Sequence, residues 1–263
     1  YHRRFHPFVR AFLPPEQPMV RSHIDKEYDL ELRKVREGLL VMGGKVEEML
    51  EASMRALVKG DAALATKTMA ADKQVNKLEM DIDEACLRIL ARRQPLASDL
   101  RFITMALKLV VDLERMGDLC VNVCERVVEL AEEEPLMPYV ELLAMSDATT
   151  GMVRDALDAF VGSDVERAHG VIDRDAAVDA YYKSLFRTLL TYMMENPRNI
   201  FRATRIQSIA KYLERVADHA TNVAEMVVFM VRGKDIRHGG RVKMRDAMDS
   251  KRALVDADRD EEE

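Results

Sequence analysis

Two stretches of this chain carry one acidic cassette. Glu114-Arg-Met-Gly-Asp118 is followed by Asn122, and Glu214-Arg-Val-Ala-Asp218 by Asn222, one hundred residues further on. Residues i and i+4 of a helix are neighbours, so Glu114 stacks over Asp118 and Glu214 over Asp218. Like charges at that spacing repel by roughly 0.2–0.5 kcal/mol per pair. An arrangement kept twice asks for a cation. One source is a nearby Arg or Lys, Arg115 and Arg215 among them, on a solvated face where each ion pair contributes little. The other is a metal. Carboxylate and amide oxygens are hard ligands suited to Mg, Ca, Mn or oxygen-ligated iron. Asp72 with Asn76, and Asp175 with Asp179, repeat the i, i+4 spacing upstream and add oxygens, while Asn122 and Asn222 are further possible ligands. Spacing alone leaves ion pairing and metal binding both open. Because Asn76 is neutral where the second copy has Asp179, the first repeat is expected to hold a metal less tightly.

Other chemistries lack their residues. A ferritin-like di-iron site needs a Glu-x-x-His pair from each of two helices projecting into a bundle, and the chain carries that spacing only once, at Glu166 and His169. His219 follows Asp218 directly and so points about 100° from the acidic stripe; a packed or surface histidine is the expected reading. No Ser-His-Asp or Cys-His arrangement, phosphate-cradling Gly-rich loop or zinc motif emerges. Catalytic residues are therefore not expected, and the chain reads as a non-enzyme.

The cassette belongs to an internal duplication. At an offset of one hundred, nine of the sixteen positions from 113 to 128 are identical, where chance supplies about one. Upstream the offset is 103, pairing Met49 with Met152, Asp72 with Asp175, Val75 with Val178 and Leu87 with Leu190. The length change belongs in a turn, where it costs little. Few Gly and Pro, seventeen Met, no Trp and only 6% aromatic residues favour helices. Apolar residues recur at helical spacing, which predicts six helices over about 23–59, 62–92, 97–133, 138–162, 165–195 and 199–232. Ser98 or Asp99 and Asn196 or Asn199 are candidate N-caps, and Gly60-Asp61 and Gly162-Ser163-Asp164 are expected to close one helix and cap the next. Helices joined by short turns bury their stripes against one another. The expected fold is all-α, two tandem antiparallel three-helix bundles over residues 21–134 and 135–234, with a single long helical array as the alternative. Leu113, Met116, Leu119, Val123 and Val127 fall opposite Glu114 and Asp118, so the acidic stripe is expected to face out of the core.

Residues 1–20 are Pro- and Arg-rich without helical period, which predicts an extended or disordered arm, or sequence ahead of a natural start near Met19. Their apolar residues are too interrupted for a secretory signal. Residues 235–263 end in an acidic run and read as a charged, disordered tail. Cys86, Cys120 and Cys124 lie in helical pattern without zinc or redox spacing, consistent with reduced thiols in a cytoplasmic protein. A net charge of −6 argues against nucleic-acid binding. No apolar run is long enough to cross a bilayer.

The sequence resembles the PhoU family of phosphate-signalling proteins from about Asp29 to His238. The resemblance rests on Asp83-Glu-Ala-Cys-Leu-Arg-Ile-Leu-Ala-Arg-Arg-Gln-Pro95, Pro95-Leu-Ala-Ser-Asp-Leu-Arg101, both cassettes with their preceding leucines, and Gly233-Lys-Asp-Ile-Arg-His238. It implies two three-helix bundles. Some members bind multinuclear iron or other metals through Glu/Asp-x-x-x-Asp motifs, which here implicates Glu114, Asp118, Glu214 and Asp218, with Asp72, Asp175 and Asp179 as partners. Iron, zinc, magnesium and manganese are the candidates. The resemblance further implies negative regulation of the phosphate-starvation response, as an adaptor between the ATPase subunit of the phosphate ABC transporter and a sensor histidine kinase. Contact with membranes would then be indirect, through those partners. Arg115 and Arg215 are candidate partner-binding residues, and a homodimer is expected. The competing expectations are a metal-dependent enzyme or metal store using the same carboxylates, and a plain helical scaffold that dimerises through its stripes.

Overall fold

The computed structural model describes residues 26–233, and within them every regular element is helical. The elements are α1 (Lys26–Lys59), α2 (Ala62–Arg93), α3 (Ala97–Leu130), α4 (Val140–Gly162), α5 (Val165–Glu195) and α6 (Ile200–Arg232), with a 3-10 turn at Pro197–Asn199 leading into α6. The expected arm and tail, and the first residues of the expected first helix, lie outside the described residues.

Caps explain most boundaries. The Asp61 carboxylate accepts from the Leu64 backbone N–H at 2.8 Å and Asp164 from that of Arg167 at 3.0 Å, so each satisfies an otherwise orphaned donor at a helix start. Asn196 does the same for the 3-10 turn. Two details depart from expectation. At α3 the cap position is Leu96, with no side-chain cap, and Ser98 and Asp99 lie inside the first turn, where Asp99 accepts from the Tyr28 hydroxyl. At the end of α4 it is Ser163, not Gly162, that takes the left-handed conformation.

The first three helices form one antiparallel bundle and the last three another. Helices α2 and α5 touch only their own bundle and bury narrow stripes, Ala65, Thr68, Val75, Ile82, Cys86 and Ile89 in one and Ala168, Val171, Val178, Leu185 and Leu189 in the other. The remaining four helices also pack between bundles, α3 on α6 and α1 on α4. Leu39, Met42, Leu113, Met116, Leu142, Met145 and Phe160 are all buried to 1% exposure or less, and full burial of such side chains is worth about 1.5–3 kcal/mol each. Phe102 of α3 stacks at 5.7 Å on Phe160 of α4, so one bundle's core runs into the other's. The bundles are thus fused along two helix pairs and share a single buried cluster.

Both pairs are antiparallel. Arg101 at the start of α3 donates to the Met230 carbonyl at the end of α6 (3.0 Å), Asp112 meets His219 midway, and Glu129 meets Arg205 near the start of α6. On the other side Arg154 pairs with Glu47 at 2.7 Å. There α1 and α4 cross so closely that a Cβ on Gly43 would lie 2.2 Å from Leu157 Cδ1. A pseudo-two-fold axis across the α3/α6 seam therefore relates the repeats.

Candidate functional site

Helical geometry turns the cassettes outward, as expected. Leu113, Met116, Val123 and Val127 are buried at 0–1% exposure, as are Leu213, Val216, Val223 and Val227. Glu114 and Asn122 are half-buried and Asp118 exposed, and Glu214, Asn222 and Asp218 repeat the pattern. Because α3 and α6 are neighbours, both cassettes look out from one face. One lines the α2/α3 groove and the other the α5/α6 groove, with the α3/α6 seam between them.

In the α2/α3 groove Asp72 faces the α3 cassette. Gly117 makes room for it, since a Cβ there would lie 3.2 Å from Asp72 Oδ1. The Asn76 amide donates to Asp72 Oδ2 at 2.9 Å, so Asn76 serves first as a hydrogen-bond partner of Asp72. Asp72 Oδ1, Asn76 Oδ1 and Asp83 Oδ1 are buried oxygens with no hydrogen-bond partner among the described residues. Burial, and then the nearby Asp118 carboxylate, raise the pKa of Asp72. Glu114 is raised by burial, Asp118 and Glu79, with Arg115 opposing, and Glu79 by burial, Asp83 and Asp118. Asp83 is raised by burial. Five carboxylates, those of Asp72, Glu79, Asp83, Glu114 and Asp118, thus share one groove, and none of them is ion-paired to a lysine or arginine among the described residues. The duplication does not point to Glu79 and Asp83, because their counterparts are Tyr182 and Phe186. The signal was present in the helical run 72, 76, 79, 83 along one face.

The α5/α6 groove carries its own cations. Lys211 Nζ lies 2.5 Å from Glu214 Oε2 and Lys183 Nζ 3.1 Å from Asp179 Oδ2. Burial and then the Asp218 and Asp179 carboxylates raise the pKa of Asp175. The positions equivalent to Lys211 and Lys183 in the first repeat are Val111 and Met80, both exposed. The expectation that the first repeat is the weaker cation site rested on Asn76 alone. Beside Asn76 the first groove has Glu79 and Asp83, and the second has Lys183 and Lys211 paired with Asp179 and Glu214.

All the donors are oxygens, and the orphaned oxygens of Asp72 and Asn76 suit a hard cation. Among the described residues, however, no three His, Cys, Asp or Glu side chains converge closely enough to hold a metal ion. The carboxylates line the grooves without forming a cage. His219 is packed: its Nδ1 lies 2.7 Å from Asp112 Oδ1, with the two side chains only 21% and 13% exposed. That pair spans the seam, and exchanging the repeats maps it onto Leu119 and Tyr212. Arg115 sits about 60° around α3 from Asp112, toward solvent, and Arg215 is placed likewise on α6. The register of the seam sets these two exposed arginines close to the pseudo-two-fold axis, between the acidic grooves. A groove of about 520 Å³ between α1 and α4 offers no comparable chemistry, since its Arg154 is already held by Glu47 and Glu51.

A family model described as the PhoU domain matches residues 39–127 and 142–227, one match per bundle. The chain belongs to the PhoU family. A phosphate-specific transport system accessory protein PhoU homolog of Pseudomonas putida is 45% identical over 223 residues, covering 84% of this chain and 87% of that one. The crystal structure of PhoU from Pseudomonas aeruginosa superposes with a TM-score of 0.76 at 45% identity, covering 79% of this chain and all of that one. The phosphate transport system regulatory protein PhoU from Streptococcus pneumoniae has a TM-score of 0.74 at 29% identity, over 80% of this chain and 99% of its own. The PhoU fold thus extends through both repeats, and no helix among the described residues is long and apolar enough to cross a membrane.

Proposed function

We propose that this chain is an accessory and regulatory protein of phosphate-specific transport, a cytoplasmic, non-catalytic adaptor that restrains the phosphate-starvation response. Its partners in this reading are the ATPase subunit of the phosphate ABC transporter and a sensor histidine kinase, and it acts as a homodimer. Family membership along most of the chain supports the role, because the relatives carry the names of accessory and regulatory proteins of that transport system. The observation that carries the mechanism is the single outward face on which two carboxylate grooves flank an arginine-bearing seam. Alternating charge of that kind favours one partner orientation and disfavours others.

A metal fits this reading as a modulator of the face. Asp72, Glu114 and Asp118 would hold it in one groove, and Asp175, Asp179, Glu214 and Asp218 in the other. A bound cation would neutralise carboxylates and so change which charges a partner meets. The chain's own residues supply the rest: Arg115 and Arg215 present fixed positive charge, and the buried stripes of α3 and α6 hold both cassettes in register. Replacing Glu114, Asp118, Glu214 and Asp218 together by Ala is expected to leave the helical fold intact and to relieve repression of phosphate-starvation genes under phosphate excess. Normal repression by that quadruple variant would sink the proposal.

A further inference from the structure

The bundles meet along two seams, and the α1/α4 seam lies on the far side of the molecule from the carboxylate grooves. Exchanging the repeats at the offset of 103 compares its two ends. At one end Gly43 admits Leu157 so closely that a Cβ would collide, and the helices close. At the other end Ser146 stands in the place of Gly43 and Met54 in that of Leu157, and the helices part around the groove of about 520 Å³. Small-ligand sites span roughly 300–1,000 Å³. The antiparallel register that sets Glu47 against Arg154 puts Arg55 level with Ser146 and Val58 level with Leu143. The groove is therefore polar at one end and apolar at the other.

Its floor carries two hydroxyls. Ser146 and Thr150 are only 4% and 7% exposed, yet neither makes a hydrogen bond among the described residues. Ser53 and Thr149, buried on the same two helices, donate instead to the Leu50 and Met145 carbonyls at 2.7 and 2.9 Å. A buried hydroxyl left unpaired is costly, and a ligand that accepts from it recovers that cost. Cations stand over the floor. Arg154 is held by Glu47, but Arg55 reaches only Glu51, at 3.6 Å in an exposed contact that contributes little, and Lys59 has no ion pair among the described residues. Glu51 and the exposed Asp147 are the opposing carboxylates. At the closed end Asp158 and Gly162 replace Arg55 and Lys59, so this cationic rim belongs to the open end alone.

We propose that the α1/α4 groove binds a small amphiphilic anion, a phosphate or carboxylate head on an apolar body. The head accepts from Arg55 and the floor hydroxyls, with Lys59 adding charge from the next turn, and the body lies along Met54, Val58 and Leu143. Inorganic phosphate alone would leave the apolar end empty. Such a ligand touches α1 of one bundle and α4 of the other, so its binding stabilises their packing. The site shares no residue with the carboxylate face and goes beyond the proposed function.

Anilinonaphthalene sulfonate, a fluorescent probe with an anionic head on an apolar body, tests this on the full chain. Wild type is compared with Arg55→Glu/Lys59→Glu and Ser146→Ala/Thr150→Val, each first shown to be helical and to melt cooperatively. Binding to wild type is expected to shift the Met54 methyl signal in NMR spectra, assigned with Met54→Leu. Charge reversal is expected to weaken binding by about tenfold or more, and removal of the hydroxyls by about threefold or more. Octanoate or adenosine monophosphate is expected to displace the probe, the first identifying a carboxylate head and the second a phosphate head, while equimolar inorganic phosphate leaves it bound. A Met54 signal unmoved at saturation, or affinity indifferent to charge reversal, would overturn the site. Loss on charge reversal with none on removing the hydroxyls would reduce it to surface attraction and overturn it as well. Displacement by inorganic phosphate, or by neither organic anion, would overturn the ligand class. The repression assay on the quadruple variant judges the adaptor role separately.

Discussion

Carboxylates facing one another make the α2/α3 groove a local source of instability. Asp72, Glu79, Asp83 and Glu114 all have pKa values raised in the folded chain, chiefly by burial and, for all but Asp83, also by neighbouring carboxylates, Asp118 acting on all three. A raised folded pKa means that the folded state binds protons more readily than the unfolded chain. The associated stability is therefore fully present below the ordinary carboxylate range and is lost as pH rises through the raised values. At neutral pH the groove carries its full repulsion. Glu79→Gln and Glu114→Gln are each expected to raise Tm at neutral pH by about 1–2 °C, from like-charge pairs worth tenths of a kcal/mol. The gain should vanish in buffers acidic enough to protonate carboxylates, and thermal melts across pH read it directly. A loss of Tm at neutral pH would mean that these side chains stabilise the groove instead. Asp72, Glu114 and Asp118 were legible from their spacing alone. Glu79 and Asp83 were not, because duplication points only to what both copies retain.

Helix boundaries show what periodicity reads well and what it reads poorly. All six helices lie where the apolar spacing places them, because 3.6-residue periodicity follows from burial of one stripe, and burial is what holds these helices. Ends depend on single hydrogen bonds. Asp61 caps α2, whereas Ser98, an equally good capping residue by type, lies inside α3. Asp61→Ala is thus expected to cost about 1 kcal/mol in chemical denaturation, and Ser98→Ala only a few tenths at most. Equal costs for the two substitutions would contradict the observed start of α3. The narrow buried stripes of α2 and α5 have a further consequence: each contributes its solvent-facing half to a groove. This is why substitutions along α2 and α5, such as Glu79 for Tyr182, could alter the grooves without disturbing the core.

At the scale of the molecule, fusion of the bundles is the decisive feature. Antiparallel packing of α3 on α6 turns two separate acidic stripes into two halves of one face, with the Asp112–His219 pair at the seam. Removing one partner of a buried polar pair costs about 1–3 kcal/mol. Asp112→Tyr and His219→Leu, which install the residues found at the pseudo-symmetric positions, are each expected to lower Tm by about 2–10 °C. The double variant should recover most of that loss, and a purely additive outcome would show that the pair is not coupled. By itself the sequence determined the helices, the duplication, the outward direction of the cassettes and the family, since these follow from local periodicity and from residues compared one to one. Only the tertiary structure decided that the bundles share a core, that His219 finds Asp112 across the seam, that Arg115 and Arg215 flank a common axis, and that Lys183 and Lys211 pair with carboxylates of one groove while those of the other have no lysine or arginine ion pair among the described residues. Those are pairings between residues far apart in the chain or on separate helices. Their partners are chosen by how helices of similar apolar pattern cross, and that choice leaves no periodic trace in the chain.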